Sequence, residues 1–339
     1  MQTYRAIVRP HAATRSPWQA DMLFGHLCWQ IRYRDGEAAL HTFLQHYHQN
    51  TPPVLFSDGF PGDWLPRPLL PRPAAPIEAS KPVRIVAFQQ AKREKSVRWI
   101  SRAEFERMRN GELVTFGERA AIQQGRSELK NQINRLTGGT TPPEDLPNGS
   151  GNLYNVEELA YRQEQQPIDI SVYVRVRDEQ WAHFAQAFLA ELARGGYGAK
   201  KSVGYGQFSL IGWETCPELD RVPERAVGFI SLNNWVPAAS DPTDGRYSTL
   251  VKYGKVGEEF TNSGNPFKYP LIMLAAGSSF ATDGAPLPWY GRVVQNISVV
   301  NADIVHYGFA LAIASTWDAS NEIDPVSYTH LTLPTNREV

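Results

Sequence analysis

The twelve residues GGYGAKKSVGYG, Gly195 to Gly206, hold the chain's densest set of groups suited to an anion. Glycines such as Gly196, Gly198 and Gly206 lack a Cβ, so a phosphate backbone can approach closely and meet successive N–H groups. Lys200 and Lys201 add charge, Ser202 adds a hydroxyl, and Tyr197 or Tyr205 can stack on a base. Two nucleotide-hydrolysis readings fail. A Walker A loop needs a glycine directly before its Lys-Ser, and here Lys200 stands before Lys201-Ser202. A dinucleotide fingerprint needs a third glycine where Lys201 or Ser209 falls. Both motifs also join a strand to a helix, whereas this loop is expected to leave a helix and enter a strand. RNA is the anion that suits the loop, and the alternative is a flexible helix-to-strand connection that must turn sharply.

Other chemistry is sparse. His41, His46 and His48 cluster without the spacing of a metal site, and no cysteine joins them. No Ser-His-Asp set or carboxylate pair stands out, so neither a metal nor a cofactor is expected. His11 and His26 flank the first expected helix, which leaves an alternative open: RNA cleavage with a histidine as general acid or base. The only cysteines are Cys28 and Cys216, too few for a disulfide framework. No apolar run approaches a membrane span, and the start lacks a signal-like stretch. A cytoplasmic protein without membrane contact is expected.

The elements that must position the loop follow from periodicity. Thr3–Val8 reads as a strand, followed by a loop with Arg15, Pro17 and Trp18. Asp21 is expected to cap a helix with Leu23, Phe24, Leu27, Cys28 and Ile31 on one stripe. A second helix starts after Gly36. Six prolines between Pro61 and Pro76 predict an extended surface segment, a linker or a docking strip. Ile168–Arg177 is the clearest strand, and Asp178 caps the helix that leads into the glycine loop. Gln207–Trp213 is the next strand. The order fits a β-α-β-β-α-β ferredoxin-like domain with a large insertion.

That insertion is basic. Between Lys81 and Arg135 there are thirteen Lys/Arg and six Asp/Glu, a local excess of seven in a chain of net charge −1. Local basic charge of this kind marks either a face for an anionic partner or a solvated surface. A strand at Val83–Phe88, a helix at Arg102–Arg109 and a mobile polar loop over Arg126–Gly151 are expected within it. After Pro223, strand-like runs dominate: Val227–Leu232, Thr249–Tyr253, Tyr269–Leu274, Arg292–Val300 and Val305–Ala314.

Five segments resemble a known family. They are SPWQADMLFGHLCWQI (16–31), VLFSDGFPGDWLPRP (54–68), NQINRLTG (131–138), GGYGAKKSVGYGQFSL (195–210) and KYPLIMLAAGSSF (268–280). In this order they are similar to the RAMP superfamily of CRISPR proteins. The closer resemblance is to the fourth Csm subunit of type III-A effector complexes, a Cas-five-like subunit. Related type III-B or III-D complexes would be told apart by neighbouring genes.

The resemblance implies an α+β fold with tandem ferredoxin-like (RRM-like) domains. The first would span 1–215, with the insertion at about 81–155, and the second, β-rich, 223–325. Val326–Val339 resembles translated adapter sequence and is expected to be a non-native tail that replaces the true end. The implied role is a non-enzymatic subunit at the foot of the complex. It would bind the crRNA 5′ handle, contact the large polymerase-containing subunit and the first backbone subunit, and kink the guide–target RNA duplex with its insertion. Gly196, Gly198, Lys200, Lys201, Ser202, Tyr205 and Gly206 would form the handle surface. Asn131, Asn134 and Arg135 would touch RNA near the insertion. Arg15, Trp18, Arg119 and Arg126 complete the expected RNA-binding set. Asp21, Gly25 and Trp29 match the family too, but capping and packing account for them.

Overall fold

The structure, a computed structural model, describes residues 1–71, 96–117, 121–131, 133, 153–262 and 264–318. The first half runs β1 Gln2–Pro10, α1 Ala20–Asp35, α2 Glu37–His48 and β2 Val54–Pro61. An inserted region follows, with β3 Trp64–Pro66, β4 Trp99–Ser101, α3 Arg102–Arg109, β5 Ile122–Asn131, β6 Leu153–Gln163 and β7 Gln166–Pro167. The chain then returns through β8 Ile170–Val176, α4 Glu179–Gly195 and β9 Phe208–Thr215. The strands order as β2-β8-β1-β9, all antiparallel. This is the arrangement that β-α-β-β-α-β connectivity produces.

The second half begins with α5 Pro217–Asp220 and continues as β10 Ala226–Ser231, β11 Gly245–Arg246, β12 Thr249–Lys252, β13 Leu271–Leu274, β14 Ser279–Ala281, β15 Trp289–Val294 and β16 His306–Thr316. Five of these strands make a sheet of order β11-β14-β10-β16-β15, and β12 pairs with β13 alone. Among the described residues no α-helix lies between β10 and β16. The repeated β-α-β-β-α-β pattern is therefore not visible there. Instead α1 touches β16 and α2 touches β15, so the first half's helices cover the second sheet. One apolar core runs through both halves, from Phe24, Phe43 and Tyr47 to Tyr307, Phe309 and Leu311. Burying each such aromatic ring stabilises by about 1.5–3 kcal/mol.

β8 departs from the expected pattern, because both of its faces are buried. Alternation predicts Ser171, Tyr173 and Arg175 on an outer face, but Arg5 and Gly62 cover Ser171, Phe60 packs on Tyr173, and the second half covers Arg175. The Arg175 guanidinium donates to the carbonyls of Pro288 (2.9 Å), Ala312 (2.5 Å) and Leu219 (3.2 Å) and lies 3.3 Å from Asp220. A buried cation is tolerable only with such complete pairing. Asp21 is not a cap either. Gln19 holds the α1 cap position without a side-chain bond, and Asp58, at an irregularity in β2, accepts the first helical N–H, from Ala20 (2.9 Å). Asp21 lies in the first turn and pairs with Lys252 (2.9 Å) of the second half, with the His306 ring 3.8 Å away.

The expected helix at Arg102–Arg109 forms as read, with Ser101 and Glu104 in a capping box. Its basic residues are committed internally. Arg109 is fully buried and donates to Glu106 and to the carbonyls of Arg221, Ala314 and Glu218. Arg102 pairs with Glu218, and Arg107 with Glu112. The proline segment is not a free strip over its described part. Pro61 ends β2, Pro66 ends β3, and Leu69 exchanges hydrogen bonds with Gly277 and Ser279 of the second half. The strand expected at 83–88, Arg119, Asn134, Arg135 and the tail at 326–339 lie outside the described residues.

Candidate nucleic-acid interface

The loop leaves α4 and enters β9, as expected. Asp178 caps α4 by accepting from the Trp181 N–H, and Phe188, Leu189 and Leu192 bury its inner stripe. The chain must then turn back onto the sheet edge beside β1. Four glycines adopt the left-handed region to do so, with φ +80° at Gly196, +78° at Gly198, +92° at Gly204 and +71° at Gly206. A Cβ on Gly206 would collide with the Tyr197 carbonyl. These glycines thus have a backbone reason that needs no ligand. Lys200 sits at φ +65°, strained for a residue with a side chain, and is exposed.

The loop's own hydrogen bonds close part of the expected cradle. The N–H of Tyr197 goes to Gly206, that of Gly206 to Ala13, and that of Gly198 to His26 Nε2 (3.1 Å). Val203 and Gly204 donate to Lys200 and Lys201. The donors of Ala199 to Ser202 are not among these, so the open part of the loop is centred on Lys200 and the exposed Ser202. Lys201 is turned aside and pairs with Glu258 at 3.2 Å.

Two aromatics of the expected RNA-binding loop region face inward. Tyr197 is fully buried and stacks on Trp18 at 4.0 Å with rings 7° apart. Its hydroxyl donates to the Pro17 carbonyl (2.7 Å) and accepts from the Gln19 N–H (3.0 Å). Trp18 is only 5% exposed and also meets Phe208 edge-on. Their job is to pin the loop against the start of α1. An aromatic ring with a polar tip serves this well when buried.

Tyr205 is the aromatic that remains partly exposed. The β5–β6 hairpin comes to it. Strand alternation places Arg126, Glu128 and Lys130 of β5 on one face with Tyr154, Val156 and Glu158 of β6, their pairing partners. Lys130 Nζ donates to the Tyr205 hydroxyl (2.5 Å), which donates to Glu158 (2.9 Å). Arg126 donates to the other Glu158 oxygen (3.0 Å). Lys130 Nζ lies 5.1 Å from the ring centroid yet 2.5 Å from the hydroxyl. It therefore sits at the phenol's edge, in line with the C–O bond, and not over a face. Arg15 approaches the ring at 5.8 Å. Burial alone would raise the Glu158 carboxyl, but the hydrogen bonds from Arg126 and Tyr205 outweigh it and hold its pKa down at about 2. Glu158 is thus an anion under a cationic cluster.

The structure therefore brings Arg15, Tyr205 and Arg126 together and leaves Lys200 and Ser202 open on the same loop. Asn131 is exposed on the opposite face of the hairpin from Lys130, since successive strand residues alternate. The reading of a loop from Arg126 is corrected over Arg126–Asn131, which belong to the paired strand Ile122–Asn131, and most of the remainder of that expected loop lies outside the described residues. Sequence reasoning missed Lys130 and Glu158. The i, i+2, i+4 spacing of Arg126, Glu128 and Lys130 was available as a signal once a strand is assumed. Nothing in ELAYRQ marks Glu158.

His26 is tied to the loop as an acceptor. Burial first, and nearby Lys201, hold its pKa down at about 4, so the ring is neutral. His11, exposed, bonds Ser209 at 2.6 Å. Among the described residues no group of three or more His, Cys, Asp or Glu could hold a metal, and no helix is long and apolar enough to cross a membrane.

No family model and no curated protein matches the sequence. Solved structures do. A chain of the Csm1–Csm4 cassette in complex with pppApA aligns over 94% of this chain and 100% of its own, with 16% identity and a TM-score of 0.58. A chain of the same cassette with AMPPNP covers 94% and 99%, with 15% identity and a TM-score of 0.57. A chain of the Csm3–Csm4 subcomplex of the type III-A CRISPR-Cas interference complex covers 94% and 100%, with 13% identity and a TM-score of 0.50. At such identities the likeness is one of fold, and Csm4 is the component these assemblies share. The chain accordingly has the mixed α/β fold seen in chains of these Csm4-containing assemblies.

Proposed function

We propose that this chain is a non-catalytic RNA-binding subunit of a type III-A CRISPR-Cas complex that works in the cytoplasm. It holds the 5′ handle of a crRNA across the loop Gly196–Gly206 and the β5–β6 hairpin. The observation that carries this reading is the convergence of Arg15, Arg126 and Lys130 at Tyr205, on the loop that also carries the exposed Lys200. Cations around a partly exposed ring suit unpaired RNA, which is bound by backbone neutralisation and stacking. The shared fold with chains of Csm1–Csm4 and Csm3–Csm4 assemblies supports a large polymerase-containing subunit and a backbone subunit as partners. Two unpaired cysteines suit a reducing compartment.

The endoribonuclease reading loses its better-placed histidine. His26 already accepts from Gly198, and a pKa of about 4 leaves it no proton to give near neutrality. His11 keeps only a hydroxyl partner. Incubating the purified chain with repeat-derived RNA in the absence of metal tests the choice. The RNA is expected to be retained intact. Cleavage at a defined position, abolished by His11→Ala, would overturn the proposal.

A further inference from the structure

The odd member of the cluster is Glu158. A buried carboxylate beneath a surface meant for phosphates should repel them, and a surface evolved only for charge would do better without it. Its hydrogen bonds suggest another use. One carboxylate oxygen takes the Tyr205 hydroxyl (2.9 Å), and the other takes Arg126 (3.0 Å). Lys130 reaches both the carboxylate (3.4 Å) and the hydroxyl (2.5 Å). Glu158 also adjoins Leu159, whose N–H and carbonyl pair with Thr14 (2.8 and 2.9 Å), on the segment that carries Arg15. The Glu158 side chain thus registers the hairpin against the glycine loop, and the backbone of its neighbour Leu159 ties the same strand to the segment after β1.

We infer that Glu158 is a positioning residue that clamps the Tyr205 hydroxyl edge, so that the ring face is presented beside Arg15 as a stacking platform for one unpaired base of a single-stranded RNA. This deepens the RNA-binding reading and rests on it. All polar groups of the network engage the hydroxyl end of Tyr205. The ring's orientation is therefore fixed from its edge, which is how a face is kept available. A base entering there would stack on the phenol, and the Arg15 guanidinium would reinforce the contact. Arg126 and Lys130, which pair with Glu158 and Glu128, would serve in the mount as well as supply charge beside the ring.

The test separates positioning from plain electrostatics. The probe is a short single-stranded RNA carrying one 2-aminopurine, whose fluorescence is quenched on stacking, titrated with the full chain and with Glu158→Ala, Glu158→Gln and Tyr205→Phe. If Glu158 only repels RNA, its removal tightens binding and steepens the salt dependence by about 0.7. If it positions Tyr205, Glu158→Ala weakens binding about fivefold or more and loses the quench, because one base stack is forfeited. Glu158→Gln, which keeps an acceptor for the hydroxyl, stays within about twofold of the parent. Tyr205→Phe keeps the ring and the loop's fold but loses the clamp, and it is expected to reproduce the lost quench. Unchanged or tighter binding by Glu158→Ala, or undiminished quenching by Tyr205→Phe, overturns the inference while RNA binding stands. Failure of the parent chain to bind the RNA at all overturns the RNA reading, and the inference falls with it.

Discussion

Acid should release the glycine loop through His26. The Gly198 N–H needs an acceptor on Nε2, so the neutral ring must carry its proton on Nδ1. Protonation replaces that acceptor with a donor and sets a cation near Lys201. Burial and Lys201 lower the folded pKa to about 4 from 6.5. The unfolded state therefore binds the extra proton first as pH falls. The stabilisation is fully present above pH 6.5 and is lost as pH drops through this window towards 4. At 1.36 kcal/mol per pH unit this amounts to about 3 kcal/mol, an upper value because the residue keeps some exposure. Urea midpoints measured across this window should fall in the parent chain. His26→Gln, which can still accept from Gly198, should remove close to one proton from the slope, or about 1.4 kcal/mol per pH unit at its steepest. His306, also held down at about 4 by burial, and Asp58, raised to about 7 by burial, contribute opposing slopes common to both proteins. A His26 proton resonance titrating near 6.5, or identical slopes for parent and variant, would refute the reasoning.

Further outcomes follow from the same geometry. Gly206→Ala combines a positive φ with a collision at the Tyr197 carbonyl and should cost about 1–3 kcal/mol or more by thermal melting, with the loop displaced. Arg175→Ala leaves Asp220 and three carbonyls without their cation. It should cost about 3–5 kcal/mol, and calorimetry should show whether the two halves still melt together. Burial pushes the Cys28 thiol up to about 12, against a weaker opposing effect of Lys268, and raises Cys216 as well. Both should resist a thiol reagent at neutral pH in the native chain and react promptly once urea unfolds it.

Much of the first half was legible because its signals are local. The Asp178 cap, the Ser101 capping box and the alternation of β8 each decide structure within a few residues. What could not be read depends on partners distant in the chain. Asp21 has the residue type of a cap, yet Asp58 meets the helix start and Lys252 claims Asp21 from the second half. The outer face of β8 looks solvent-facing because its cover, including Ala312 and Pro288, is more than a hundred residues away. In the loop, residue types alone could not say which tyrosine is free. Tyr197 and Tyr205 both follow a glycine, but only Tyr197 meets Trp18 and the backbone of Pro17 and Gln19. The basic window overstated the available charge, since Arg102, Arg107 and Arg109 serve internal pairs.

The central claim is that the open part of the glycine loop grips an RNA backbone. The direct measurement is the affinity of the chain for a single-stranded 5′-handle RNA over a salt series, compared with Lys200→Ala. Lys200 is exposed and Lys201 is already paired, so the single substitution isolates the contact. The account predicts weaker binding and a log–log salt slope shallower by about 0.7, the loss of one single-strand phosphate contact. Equal affinity and an equal slope for the two proteins would contradict it.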